Sequence, residues 1–136
     1  TSSMADQKKN YWLVKPDEFN GKMPLMNSSI IDYFLHDSGF NKIEASNNNI
    51  LQCIERISKA NILIGDYRAG LQLSFAASPG TRIVNLQSPN AFRNFNHYLS
   101  SILSTETISI IGNVRQISDK RPNADYTVRP IDTLSF

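Results

Sequence analysis

The sequence predicts an α/β fold: a Rossmann-like, mostly parallel sheet of about five strands with helices on both faces. Three observations carry this reading. Apolar, β-branched runs alternate with segments of helical period along the 136 residues. Two of those runs, Ile62-Leu63-Ile64 and Ile83-Val84, are continuously apolar, as strands buried on both faces are. A single small helical segment and a turn separate them, which makes the pair parallel with a right-handed crossover.

The bulk properties suit one domain with a true core. Apolar residues make up 40% and aromatic residues 10% of the chain, too much for disorder. The net charge is only +2. Its one loose basic cluster, Arg115, Lys120, Arg121 and Arg129, is interleaved with Asp119, Asp125 and Asp132, so no nucleic-acid footprint emerges. The single cysteine, Cys53, excludes an intrachain disulfide, and with His36 and His97 far apart it makes a poor metal set. No apolar run approaches the roughly 20 residues of a membrane helix. No secretory signal is visible, so a cytoplasmic location is favoured. Thr1-Ser2-Ser3 before Met4 reads as an added leader, with the native start or a domain cut near Met4. The organisation expected is a frayed leader over 1–10, one domain over 11–130, and a tail over 131–136.

Taken in order, Tyr11-Trp12-Leu13-Val14 has strand propensity and stops at Lys15-Pro16, where proline removes a ladder donor. Asn27-Ser28-Ser29 offers helix caps. Ile30, Ile31, Phe34 and Leu35 then share one helix face, and Gly39 ends the helix. Phe40 to Ala45 is a short strand. Asn49 is placed to cap the helix whose apolar face is Ile50, Cys53, Ile54 and Ile57, the cleanest helical period in the chain. The strand Ile62 to Ile64 follows, with Gly65 permitting a sharp turn off it. Ala69 to Ala77 is a small helical segment and Pro79-Gly80 a turn into Ile83-Val84. Ser88 and Pro89 suit the cap and first position of another helix, whose buried face is Phe92, Phe95, Leu99, Ile102 and Leu103. Thr107 to Ile111 is a β-branched strand ending at Gly112, and Tyr126-Thr127-Val128 is a final edge strand. The tail, Ile131 to Phe136, docks on the domain or on a neighbour.

The best candidate for chemistry is Gly65-Asp66-Tyr67-Arg68-Ala69-Gly70. In a parallel sheet this loop opens at the carboxyl edge, where ligands sit in open α/β folds. Arg68 would place a guanidinium beside a helix N-terminus, a setting suited to phosphate or diphosphate. Lys15, at the end of the first strand, falls near the same edge. The bland alternative is a glycine turn with Asp66 as a helix cap. Ser78-Pro79-Gly80-Thr81 reads as a structural turn at the opposite edge. Neither His36 nor His97 has a Ser, Cys or Asp partner at a catalytic spacing. Cys53 reads as a buried thiol and Trp12 as core. No carboxylate pair, metal cluster, Walker loop or G-x-G-x-x-G fingerprint is present, and no catalytic residue can be named.

The stretch Ala60-Asn61-Ile62-Leu63-Ile64-Gly65-Asp66-Tyr67-Arg68-Ala69-Gly70-Leu71, then Phe75, then Pro79-Gly80-Thr81-Arg82-Ile83-Val84-Asn85-Leu86 resembles the carboxyl-terminal half of family-61-type glycosyltransferases. That family carries an A-x-x-x-x-G-P-H-G-A-G-L … F … P-G-T-x-V-I-E-L pattern. The resemblance implies the nucleotide-sugar-binding half of a two-domain transferase, and Gly65, Ala69, Gly70, Leu71, Pro79, Gly80 and Thr81 carry over, mostly as residues that shape the backbone. The ligand contacts expected in this chain are the Gly65–Gly70 loop, Lys15 and Asn85. The family's histidine is Tyr67 here, the following glycine is Arg68, and its acidic residue is Asn85. Two functions therefore stand as expectations. One is a glycosyltransferase-like domain that binds a nucleotide sugar or nucleotide diphosphate and is catalytically incomplete alone. The other is a degenerate, non-catalytic Rossmann-like module serving protein interaction or assembly, with a second domain or protein as partner. Neither reading requires a cofactor or metal.

Overall fold

The computed structural model describes residues 8–14, 25, 27–46, 49–66, 71–89, 95–114 and 126–134. Five parallel strands make one sheet: β1 (Lys9–Val14), β2 (Asn41–Glu44), β3 (Ala60–Asp66), β4 (Arg82–Gln87) and β5 (Glu106–Ile111). Their spatial order is β2-β1-β3-β4-β5. This is the doubly wound α/β arrangement the sequence predicts, in one of its two common strand orders.

The helices α1 (Ser28–Asp37), α2 (Ile50–Ser58) and α3 (Phe95–Leu103) divide between the faces. Side chains alternate along each strand, so two separate cores form. On one face, Trp12, Val14, Ile64, Val84 and Leu86 meet Ile31 and Leu35 of α1. On the other, Leu13, Ile43, Leu63 and Ile83 meet Cys53 and Ile57 of α2. The one-face spacing of α1 is thus half realised: Ile31 and Leu35 are fully buried, whereas Ile30 and Tyr33 stand in solvent. Gly39 ends α1 in the left-handed region, at φ +91°, a conformation glycine adopts without a Cβ penalty.

Several sequence expectations are corrected. The expected caps do not cap: neither Asn27 nor Asn49 bonds a helix N–H through its side chain. Asn49 instead accepts from the Ser46 N–H at 2.8 Å and its hydroxyl at 3.0 Å, bracing the turn before α2. Asn27 donates to the Val128 carbonyl at 2.7 Å and accepts its N–H at 3.2 Å. That two-point clamp reaches across 101 residues, so no local rule anticipates it. Between β3 and β4 the described helical residues form a 3-10 helix, Leu71–Ala76, rather than an α-helix. Pro89 stands in a turn, and the described part of α3 runs Phe95–Leu103, with residues 90–94 outside the described residues. Residue 92 lies outside the described residues. The strand expected over Tyr126-Thr127-Val128 does not join the main sheet. β7 (Tyr126–Thr127) pairs antiparallel with β6 (Asn113–Val114) in a separate ribbon.

The tail is an added cover for the α1 face. A second 3-10 helix, Pro130–Leu134, follows Val128 and buries Thr133. Val128 is buried in the α1-side core and Leu134 rests against it. Arg129 holds Asp132 with two hydrogen bonds of 2.9 Å, bracing this turn from outside. Residues 135 and 136 of the expected tail lie outside the described residues.

Candidate functional site

The strand order creates one topological switch. From β1 the chain runs outward to β2, whereas from β3 it runs the other way to β4 and β5. The order therefore reverses at β1 and β3, and the carboxyl ends at such a switch point are where ligands bind in these sheets. β1 ends at Val14 and β3 at Asp66. The segments singled out from the sequence, Lys15 and Tyr67-Arg68-Ala69-Gly70, follow those two ends directly in the chain. Lys15, Tyr67, Arg68, Ala69 and Gly70 themselves lie outside the described residues.

The structure corrects the role of Gly65. It does not turn the chain off the strand, because β3 continues through Asp66. Gly65 pairs with Leu13 of β1 and Asn85 of β4 in the middle of the sheet. A Cβ there would stand 3.2 Å from Leu71 Cδ1 and 3.3 Å from Leu13 Cβ. Glycine is present so that the 3-10 helix can seat Leu71 directly on the strands. That is a packing reason, not a ligand-approach reason.

Polar side chains gather at this carboxyl edge. Asp66, Asn85, Gln87 and Ser88 are all buried at or just after the ends of β3 and β4. Both polar atoms of the Asn85 carboxamide are buried without a hydrogen-bond partner. Leaving a buried donor or acceptor unmade costs about 1–3 kcal/mol. Among the described residues the Trp12 indole N–H shares that condition, but it is a lone donor in the α1-side core rather than a group at the edge. The opposite edge is different. There Thr81 donates to the Ala60 carbonyl at 3.0 Å, Ser78 to the Ser58 carbonyl at 2.5 Å, and Gly80 turns the chain at φ +86°. Residues 78–81 thus form a structural turn, as their sequence suggests.

Sequence reasoning missed a polar seam beside Asn85. In the parallel ladder Asn85 pairs with Ser109 of β5, so their side chains share the α3 face. The Ser109 hydroxyl accepts from Gln87 Nε2 at 3.3 Å and lies 2.7 Å from His97 Nε2, with the donor set by the imidazole tautomer. One helical turn on, the Ser100 hydroxyl bonds the Thr107 hydroxyl. His97 thus does have a serine partner, twelve residues away and brought in by the crossover. A hydroxyl on an imidazole is the contact a general base uses. Among the described residues, however, no carboxylate orients His97, and the pair ties α3 to β5. The available signal was the polar alternation Asn85-x-Gln87 inside an otherwise apolar strand.

The same seam explains why Ile102 is misplaced in the sequence reading. It is 76% exposed, and Tyr98 is 72% exposed. α3 turns His97 and Ser100 to the sheet, so Tyr98 and Ile102 face outward while Leu99 and Leu103 are half-buried.

Trp12 and Cys53 are core residues, as their positions in the sequence suggest. Burial pushes the Cys53 thiol up from its ordinary value, against the opposing charge of Arg56 and the Ser46 backbone hydrogen bond. Among the described residues no three His, Cys, Asp or Glu side chains gather to hold a metal ion. None of the described helices is long and apolar enough to cross a membrane. No protein-family model matches the chain, and no curated protein matches it.

Proposed function

We propose that this chain is a glycosyltransferase-like domain that binds a nucleotide diphosphate or nucleotide sugar at the carboxyl edge between β1 and β3. The carrying observation is the set of buried polar side chains beside it, at the carboxyl ends of β3 and β4, with the Asn85 carboxamide unpartnered. A purely structural edge has no need of an unpaired carboxamide, because burying one is unfavourable. The resemblance around Gly65 to Leu86 and the cationic Arg68, which follows β3 in the chain, support the same reading. In this role the chain supplies donor binding, and a second domain or chain supplies the acceptor side.

The test is a thermal-shift screen against uridine and guanosine diphosphates and their sugars. Ligand present at 100 times its dissociation constant stabilises the folded state by about 2.7 kcal/mol. For a domain of this size that is a melting shift on the order of 10 °C. Arg68→Ala should weaken the affinity about tenfold or more, since a charge-assisted hydrogen bond is worth ~1.5–3 kcal/mol. No shift at millimolar ligand would reject the reading.

A second reading is favoured by a separate observation. The outward stripe of α3, Tyr98 and Ile102, is apolar and exposed, which fits a module used in assembly.

A further inference from the structure

A pocket of about 250 Å³ opens on the α1 face of the sheet, between α1 and the edge strand β2. Ser29, Asp32, Tyr33 and His36 recur at i, i+3, i+4 and i+7, so they line it as one stripe along α1. Trp12 of β1 pairs in register with Lys42 of β2, so the two side chains stand side by side on the face that α1 covers. Phe40, buried just before β2, completes the described lining. Asp32 meets Lys42 at 3.5 Å and ties the helix to the strand. Glu44 meets the same ammonium at 3.3 Å.

We infer that this pocket is a saccharide site, which holds one neutral sugar ring against Trp12. Trp12 is 1% exposed, and its indole N–H has no hydrogen-bond partner. Phenylalanine would fill the same core without the cost of a buried, unsatisfied donor. An indole only donates, so the ligand that relieves it carries an acceptor, which a simple ammonium ion lacks. Lys42 is held between two carboxylates, Asp32 and Glu44, so it has no charge left over to attract an anion. A neutral ligand rich in hydroxyls remains, because each hydroxyl both donates and accepts. Trp12 and Lys42 supply donors, Asp32 an acceptor, and Ser29 a hydroxyl that serves as either. The aromatic rings of Trp12, Tyr33 and Phe40 give the C–H face of a sugar an electron-rich surface to lie on. The size agrees: the space is several times the ~30 Å³ share of one water, yet below the roughly 300–1,000 Å³ of sites for drug-sized ligands. It suits a single ring and not a whole nucleotide. The inference does not rest on the nucleotide reading, since it uses none of the polar groups at the carboxyl ends of β3 and β4.

Trp12 is the only tryptophan in the chain, so its fluorescence reports on this pocket directly. The experiment is a fluorescence titration of the full chain with the methyl glycosides of glucose, galactose and N-acetylglucosamine, to about 100 mM, which covers millimolar dissociation constants. The expected result is a saturable change in Trp12 emission with at least one of them. Methyl glucuronide, the same ring bearing a carboxylate, and tetramethylammonium should bind about tenfold more weakly or worse, since Lys42 is already matched and the indole needs an acceptor. Asp32→Ala and Tyr33→Ala should each weaken the glycoside about tenfold, with little change in melting temperature. Tyr98→Ala, 72% exposed on the opposite face, should leave binding unchanged. A tighter, Asp32-dependent response to uridine-diphosphate glucose than to methyl glucoside would assign the ring to a nucleotide sugar, and the reverse order would assign it to a glycan end. No saturable change with any glycoside, equal binding of the ionic probes, or binding that survives both variants would overturn the inference. The melting shift with uridine diphosphate alone should be the same in Tyr33→Ala as in the unaltered chain, so failure of the sugar pocket and failure of the nucleotide site read out separately.

Discussion

Two helices lie on the same face of one sheet, and they are held by different chemistry. Under α2 the contact is apolar: Cys53 and Ile57 meet Leu63, Leu13 and Ile43. Under α3 it is polar: His97 and Ser100 meet Ser109 and Thr107, with Gln87 and Asn85 beside them. The first seam draws its stability from area removed from water, about 25 cal/mol per Å². The second exchanges bonds to water for bonds within the chain, a net gain of only about 0.5–1.5 kcal/mol each. The difference teaches where the fold is anchored and where it is specialised. The β1–β3 half with α2 is the scaffold. The β4–β5 half with α3 gives up part of its hydrophobic stabilisation to keep polar groups at the carboxyl edge, and it leaves Tyr98 and Ile102 outside.

The comparison is sharpened most by cutting the apolar seam. Ile57→Ala should destabilise the chain by about 2–5 kcal/mol, read as a lower urea midpoint at constant slope. A loss near zero would mean that α2 is not an anchor. Gly65→Val tests the close seat of Leu71 on the same seam and should cost about 1–3 kcal/mol through overpacking. If it is neutral, the 3-10 helix yields more easily than its contacts imply.

Asn85→Leu probes the polar seam and should have the opposite sign. Replacing an unpartnered buried carboxamide by an apolar group of similar size should stabilise the ligand-free chain by about 1 kcal/mol or more. Destabilisation in urea would mean that water or another group satisfies the amide in solution. Ser109→Ala should cost only about 1 kcal/mol, and a double-mutant cycle with His97→Ala should show the two effects to be coupled.

The smallest effect is the pH response of the apolar seam. Burial raises the folded-state thiol of Cys53 above the ordinary value of 9.0. A group raised in the folded state keeps its full contribution below the unfolded value. Stability should therefore be flat below about pH 9 and decline as pH rises through the folded value. Cys53→Ala should remove that part of the alkaline loss, as measured by melting temperature against pH.

Much of this architecture is legible in the amino-acid order. Ile50, Cys53, Ile54 and Ile57 announce α2 because burial of one helix face requires that spacing, although Cys53 and Ile57 alone are fully buried and Ile50, in the first turn, stays 38% exposed. Ile62 to Ile64 and Ile83-Val84 announce central strands because both faces of a parallel sheet are covered. The candidate site is legible in its location only, since the strand-then-loop order puts the segment after Ile64 at the carboxyl edge of a parallel sheet. The expectations that fail do so for identifiable reasons. Ile102 has helical spacing yet faces solvent, because periodicity says that a face is apolar and not which way it turns. Asn27 has the residue type of a cap and spends its side chain on Val128, a partner 101 residues away.

The amino-acid order by itself determined the class of fold, the alternation of strands and helices, and the burial of Trp12, Leu13, Ile57 and Ile64, because local period and hydrophobicity act through near neighbours. Only the tertiary structure decided the strand order β2-β1-β3-β4-β5 and with it the switch between β1 and β3. It also decided that Gly65 is a seat for Leu71, that His97 meets Ser109, that Asn85 lacks a partner, and that Val128 and the following 3-10 helix close the α1 face. Each of these joins residues distant along the chain or opposed across a sheet, and such pairings depend on how whole elements stack, which no local pattern encodes.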